Sequence, residues 1–177
     1  MKLMSRVRSG FRDKAKKKPG DLVFWVYIIV IAIACTVFLM IRLCLHPVTV
    51  VGTSMCPTYN AGTILATKAP KEVDDLHYDD IIVFRSLKEK TLIKRVVGLP
   101  GDIIQIRGGL VIRNGRAVVS DFDKIEDAGL LAKPYIVPDN AVIALGDNRN
   151  HSTDSRVLGA IEFASIRGVV FKTLIEK

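Results

Sequence analysis

Leu22 to Ile41, LVFWVYIIVIAIACTVFLMI, runs for twenty residues without a charge, and Thr36 is its only plainly polar side chain. At about 1.5 Å rise per residue, a helix of this length covers roughly 30 Å of bilayer hydrocarbon, where a single segment satisfies its own backbone groups only as a helix. A helix on the rim of a soluble core would keep a polar face, and this run is apolar on every side. A cleaved secretory signal is the sharper rival. Its apolar core would be about 7–15 residues long and end at a small-residue site, a form that Ala32-Ile33-Ala34 before Cys35 matches. Six further, largely apolar residues follow Cys35, so residues 22–41 read as a retained transmembrane helix in contact with membrane lipid.

Charge orients the span. The chain has 177 residues and a formal charge of +8, and residues 1–21 alone hold eight Lys and Arg against two Asp. In the twenty residues after the span the only basic residue is Arg42, an asymmetry that keeps the N-terminus in the cytoplasm. Residues 1–21 are then a basic cytoplasmic tail and residues 42–177 an extracytoplasmic domain large enough for one core. A sequence pI near 9.5 invites a nucleic-acid reading. The excess charge sits in the tail, however, and the rest lacks the clustered basic face with interleaved aromatics that a phosphate backbone requires, so no nucleic-acid partner is expected. Cys56 alone lies in the outer domain clear of the span, which leaves no internal disulfide there.

Beyond the span, short β-type runs replace helical periodicity: 48–51, 63–67, 81–85, 92–97, 103–107, 110–113, 117–119, 141–145 and 169–174. Gly108-Gly109 and Asn114-Gly115 are two-residue hairpin signals, and Leu99-Pro100-Gly101-Asp102 has Pro and Gly where a type II turn wants them. The outer domain is therefore expected to be mainly β, with antiparallel sheets. Residues 120–133 read as a surface excursion with a helical turn.

The chemistry-bearing residues are hydroxyls and amines. His46, His77 and His151 are scattered, the cysteines form no C-x-x-C and no phosphate-binding G-x-x-x-x-G-K loop exists, so neither a metal nor a cofactor is expected. Ser54, in VVGTSMCPTY, sits where a strand ends before Pro57; alone it reads equally as a turn serine bonded to its own backbone. A serine needs a base to become a nucleophile. His77 and His151 have no evident orienting acid. A lysine serves instead if burial keeps its amine neutral against a reference pKa of about 10.4. Lys94, in TLIKRVVGLPGD, alternates onto the face of Leu92 and Val96; the plain alternative is a lysine whose stem covers apolar surface while its amine reaches water.

Taken in order, GTSMCPT at 52–58, YDDIIVF at 78–84, LIKRVVGLPGD at 92–102 and GDNRNHSTDSR at 146–156, behind an N-terminal anchor, resemble the bacterial type I signal peptidases, or leader peptidases, in their compact Gram-positive-like form. The resemblance implies a largely β serine protease domain that removes signal peptides from secretory precursors. Its site would be a Ser/Lys dyad, with Ser54 as nucleophile and Lys94 as general base. Ser152 would orient the lysine amine, and Asp154 and Arg156 would pair beneath the site, with Asp147, Asn148 and Arg149 shaping the same motif. Family members with a hydroxyl residue two positions before the nucleophile can use it as a second oxyanion donor; this chain has Gly52 there.

Chain length supports the substrate class independently. From Arg42 to Ser54 is twelve residues, at most about 43 Å when fully extended, so the serine works near the outer membrane surface. A secretory precursor presents its A-x-A site there, as an extended strand along a β edge. The rival from another class is a non-catalytic, membrane-tethered assembly factor or scaffold, in which the Lys94 amine would lie far from Ser54. A penicillin-binding type of site needs Ser and Lys one helical turn apart, which this chain lacks.

Overall fold

A computed structural model of the chain describes residues 19–44 and 46–176. The basic tail expected over residues 1–21 lies almost wholly outside the described residues. The chain divides into two compact units, with the boundary after Arg42.

The first unit is dominated by one helix, α1, Pro19–Cys44, longer at both ends than the apolar run. Every side chain from Leu22 to Met40 is exposed, and Thr36 satisfies its hydroxyl by donating to the Ala32 carbonyl at 2.7 Å, so that hydroxyl needs no water within the span.

The second unit is built of strands: β1 His46–Thr49, β2 Ile64–Lys68, β3 Ile81–Arg85, β4 Thr91–Gly98, β5 Ile103–Arg107, β6 Leu110–Arg113, β7 Arg116–Ala117, β8 Tyr135–Ile136, β9 Ala141–Leu145, β10 Ile161–Glu162 and β11 Ile166–Ile175. A four-residue helix, α2, covers Ser155–Leu158. The order β1-β2-β11-β3-β4-β9-β10 makes one sheet and β7-β6-β5-β8 a second, and every pairing is antiparallel. The mainly β, antiparallel expectation holds. Both hairpin signals turn as read, with positive φ at Gly108, Gly109, Asn114 and Gly115. Asp102 N–H closes the Leu99 turn at 3.1 Å.

The excursion over 120–133 is more than surface. It sends Ile125 and Leu131 into the apolar layer formed by Val97, Ile104, Ile143 and Leu145, and its helical turn is a 3-10 turn at Gly129–Ala132. A separate cluster of Val50, Met55, Leu65, Ile81, Val83 and Ile93 supports the segment that carries Ser54.

Two of the strand edges that the register leaves open lie near Ser54. β4 pairs with β3 along Thr91–Arg95, but β9 meets it only from Arg95 onward, so the far side of Thr91–Lys94 has no strand partner. β1 ends the sheet, with β2 on one side only. Although four steps apart in strand order, the two edges line one cavity of about 110 Å³ together with Ser54; the sheet must curl to bring them there.

Candidate active site

Ser54 lies in the loop between β1 and β2, which is closed at its base by Val50 N–H to Thr63 O and Gly62 N–H to Val50 O, both 2.9 Å. Within it, Met55 is buried beneath the turn, so an apolar anchor holds the half-buried serine in place. Gly52 adopts φ 84° with nothing within 4 Å of where a Cβ would stand. The cost of a side chain there is conformational, since L residues seldom adopt that backbone, and this accounts for a glycine at 52.

Lys94 comes from β4, paired opposite Ile82, and is 1% exposed. Its amine lies 2.7 Å from Ser54 Oγ and donates to the Ile93 carbonyl at 2.6 Å. The two residues are forty positions apart in sequence, and a scaffold reading gives no reason for them to meet. Burial pulls the Lys94 amine down to about 8, with Asp154 and Asp147 working against that fall. The amine has no contact carboxylate to hold its proton, which is the condition a lysine base requires.

The Ser152 Oγ is buried and helps to hold the Asp154 carboxyl below its ordinary pKa, while the Lys94 amine bonds to Ser54 Oγ and the Ile93 carbonyl. Ser152 is packed under the dyad by Gly146: a Cβ on that glycine would overlap Ser152 and stand 2.6 Å from the Ser54 carbonyl oxygen. Gly146→Ala therefore pushes the nucleophile turn and the 152 loop apart, and we expect single-turnover cleavage to fall about 10²-fold or more while the protein still melts cooperatively; unchanged turnover would show that the contact is slack.

Asp154 and Arg156 pair as expected. The Asp154 carboxylate is fully buried and accepts Arg156 Nε and Nη2, each at 2.8 Å, Arg156 N–H at 3.2 Å and Gly146 N–H at 3.0 Å. Burial alone would raise its pKa; the Arg156 fork and the Gly146 N–H outweigh it and hold the carboxyl below its ordinary value. Ser155, between them in sequence, accepts the buried Ala144 N–H at 3.0 Å and belongs to the fold.

Two residues, Arg95 and Phe122, had no role from sequence, and a third, Asn148, had only a share in shaping its motif. Arg95, beside the dyad lysine, makes a bidentate pair with Asp147 at 2.8 and 2.7 Å. Phe122 lies against both Arg95 and Arg149, with guanidinium carbons 5.3 and 4.8 Å from its ring centre, a cation–π cover for two arginines. Asn148 bonds to both Thr53 and Ser54. The available signal was charge inside an apolar strand: an arginine in LIKRVVG must meet a carboxylate, and GDN supplies one. Among the described residues the Sγ of Cys56, near the serine in sequence, bonds to the Tyr59 carbonyl and the Asn60 side chain, both at 3.5 Å, neither of them a base able to activate a thiol.

Residues 22–175 match the family described as signal peptidase, peptidase S26. The chain is 34% identical to signal peptidase I P of Bacillus subtilis subsp. natto, across 89% of this chain and 91% of that one. It is 30% identical to signal peptidase I of Bacillus caldolyticus, across 89% and 91%. A crystal structure of a signal peptidase I from Enterococcus faecalis V583 aligns with 54% of this chain and 97% of its own, at 27% identity and a TM-score of 0.46.

Proposed function

The chain belongs to the signal peptidase family, peptidase S26, and from that premise we propose that it removes signal peptides from exported precursors by a Ser54/Lys94 dyad, cutting after small-residue, A-x-A-like sites. The observation that carries this reading is the 2.7 Å contact between Ser54 Oγ and a buried Lys94 amine.

Neutral Lys94 accepts the Ser54 proton as Oγ attacks the scissile carbonyl, and the Ser54 backbone N–H donates to the oxyanion. The protonated amine then gives its proton to the leaving nitrogen, which frees the mature N-terminus and leaves the signal peptide as an ester on Ser54. Water, deprotonated by the same amine, hydrolyses the ester and restores the serine. Ser152, Asp154 and Arg156 support the loop below the dyad. The precursor enters as an extended strand between the free edges of β1 and β4. Alternate side chains of such a strand point the same way, so residues one and three before the cut share a cavity of only about 110 Å³, bounded by Val48, Val50, Met55, Ile93 and Lys94. That volume favours methyl-sized groups. α1 anchors the enzyme with residues 1–21 cytoplasmic and 42–177 outside, the orientation set by the charge asymmetry across the span.

The test uses the full-length protein in detergent with a secretory precursor and mass analysis of both products. Cleavage is expected after the A-x-A site, with kcat/KM rising through about pH 8, because Lys94 is an active base only once deprotonated and its amine sits at about 8. Cleavage elsewhere, or activity that falls across that range, overturns the reading.

A further inference from the structure

The oxyanion donor of the dyad reading is a backbone N–H, and a backbone N–H points where its peptide plane points. The Ser54 N–H shares a planar unit with the Thr53 carbonyl, the two directed oppositely. Among the described residues the Ser54 N–H has no acceptor of its own, whereas the Thr53 oxygen is held twice, by Asn148 Nδ2 at 3.1 Å and by Cys56 N–H at 3.1 Å. Asn148 also donates its backbone N–H to the Ser54 oxygen at 3.1 Å. One residue thus grips the carbonyls on both sides of the nucleophile's Cα. Because a carbonyl oxygen can only accept, the Asn148 side chain must present its NH₂ to Thr53. Asn148 follows β9 directly, after Gly146 and Asp147, and Asp147 is fastened to Arg95 on β4, so the grip is referred to a strand of the sheet.

We propose that Asn148 is the positioning residue of the oxyanion hole: its side-chain amide fixes the Thr53–Ser54 peptide plane so that the Ser54 N–H faces the developing oxyanion, and by polarising that peptide makes the N–H a better donor. The proposal rests on the dyad reading and deepens it. Neutral groups in the substrate gain little from a well-aimed N–H, while the charged tetrahedral oxygen gains much. Loss of the amide must therefore appear in kcat, with KM barely moved. The Lys94 amine is untouched, so the pH midpoint stays near its wild-type value.

The experiment compares Asn148→Ala and the isosteric Asn148→Asp with wild type in the full-length enzyme. Active enzyme is counted by titration, and two peptides ending at the small-residue site serve as probes, one a C-terminal aldehyde and the other the corresponding alcohol. The aldehyde forms a hemiacetal with Ser54 whose oxygen occupies the oxyanion position; the alcohol does not. The expected result is a kcat loss of about 10-fold to 10²-fold, KM within threefold, an unchanged pH midpoint and aldehyde affinity falling by the factor lost in kcat/KM while alcohol affinity holds. Asn148→Asp, which places a carboxylate against the Thr53 carbonyl, should lose at least as much, and it carries the test alone if Asn148→Ala does not fold. An unchanged kcat per active enzyme, a loss confined to KM, or equal losses for aldehyde and alcohol overturns the proposal. Cleavage by Ser54→Ala, run in parallel, would instead remove the dyad reading beneath it.

Discussion

Ser54→Ala and Lys94→Ala each lower precursor cleavage by about 10⁴-fold or more, and the double variant is no worse than either alone, because a nucleophile and the base that activates it act as a unit. Single-turnover assays on detergent-purified variants measure this; wild-type-like cleavage by either one sinks the dyad. Lys94→Met adds a second, opposite readout. The Lys94 amine falls from 10.5 to about 8 on folding, a shift whose cost to the folded state is about 3 kcal/mol wherever both states are protonated. Below pH 8 that cost is present in full, and it fades as pH rises toward 10.5, because the folded protein has already released the proton that the unfolded chain still holds. Lys94→Met, inactive, should therefore melt higher than wild type at pH 7, with the margin shrinking above pH 8. A margin that grows with pH would contradict the sign of the shift.

Asp154→Ala should be the most destabilising change in the domain. Its carboxylate is fully buried beneath four N–H donors, and Arg156 beside it is 6% exposed, so removing the acid strands a buried cation at a cost of about 3–5 kcal/mol. For a domain of this size that lowers Tm by on the order of 10 °C. Pairing the change with Arg156→Met should restore much of the loss, since neither charge is then left alone. The two readouts separate stability from chemistry: Asp154 is also a charge that raises the Lys94 amine, so the residual activity of any folded Asp154 variant should reach half-maximum at a lower pH than wild type. A melting point within a few degrees of wild type would show that the pair is not under load.

Strands that bury an alternating or continuous apolar face were legible from sequence, and 81–85, 103–107, 110–113 and 141–145 match the observed strands residue for residue. β8 and β10, two residues each, carry too little pattern to register. α2 was missed for the same reason: it is one turn, started by the Asp154 cap and held by burial of Ser155 and Arg156, with no 3.6-residue stripe. The pair proposed as the dyad was singled out because Ser54 and Lys94 stand in long motifs, yet their contact depends on a curl of the sheet that no local pattern encodes. Ser152 shows the limit from the other side. A motif implied that its hydroxyl aims the Lys94 amine, whereas the hydrogen bond from that amine to the Ile93 carbonyl comes from the strand's own backbone and carries no sequence signal. Arg95 and Phe122 drew no attention, and Asn148 only a part in shaping its motif, because each works through a partner brought close by tertiary folding, at separations of 52 residues for Arg95 with Asp147 and 95 for Asn148 with Thr53.

If the precursor lies between the open edges of β1 and β4, as proposed, those edges impose an order of events on export. A segment lying between them must offer backbone groups on both of its sides, and residues already committed to a helix or sheet of their own have none to give. An exported protein whose first residues fold tightly hides the bond that has to be cut. Release from the membrane is therefore a race between the enzyme and the folding of its own product, and precursors whose mature N-termini stay extended longest should be released most completely.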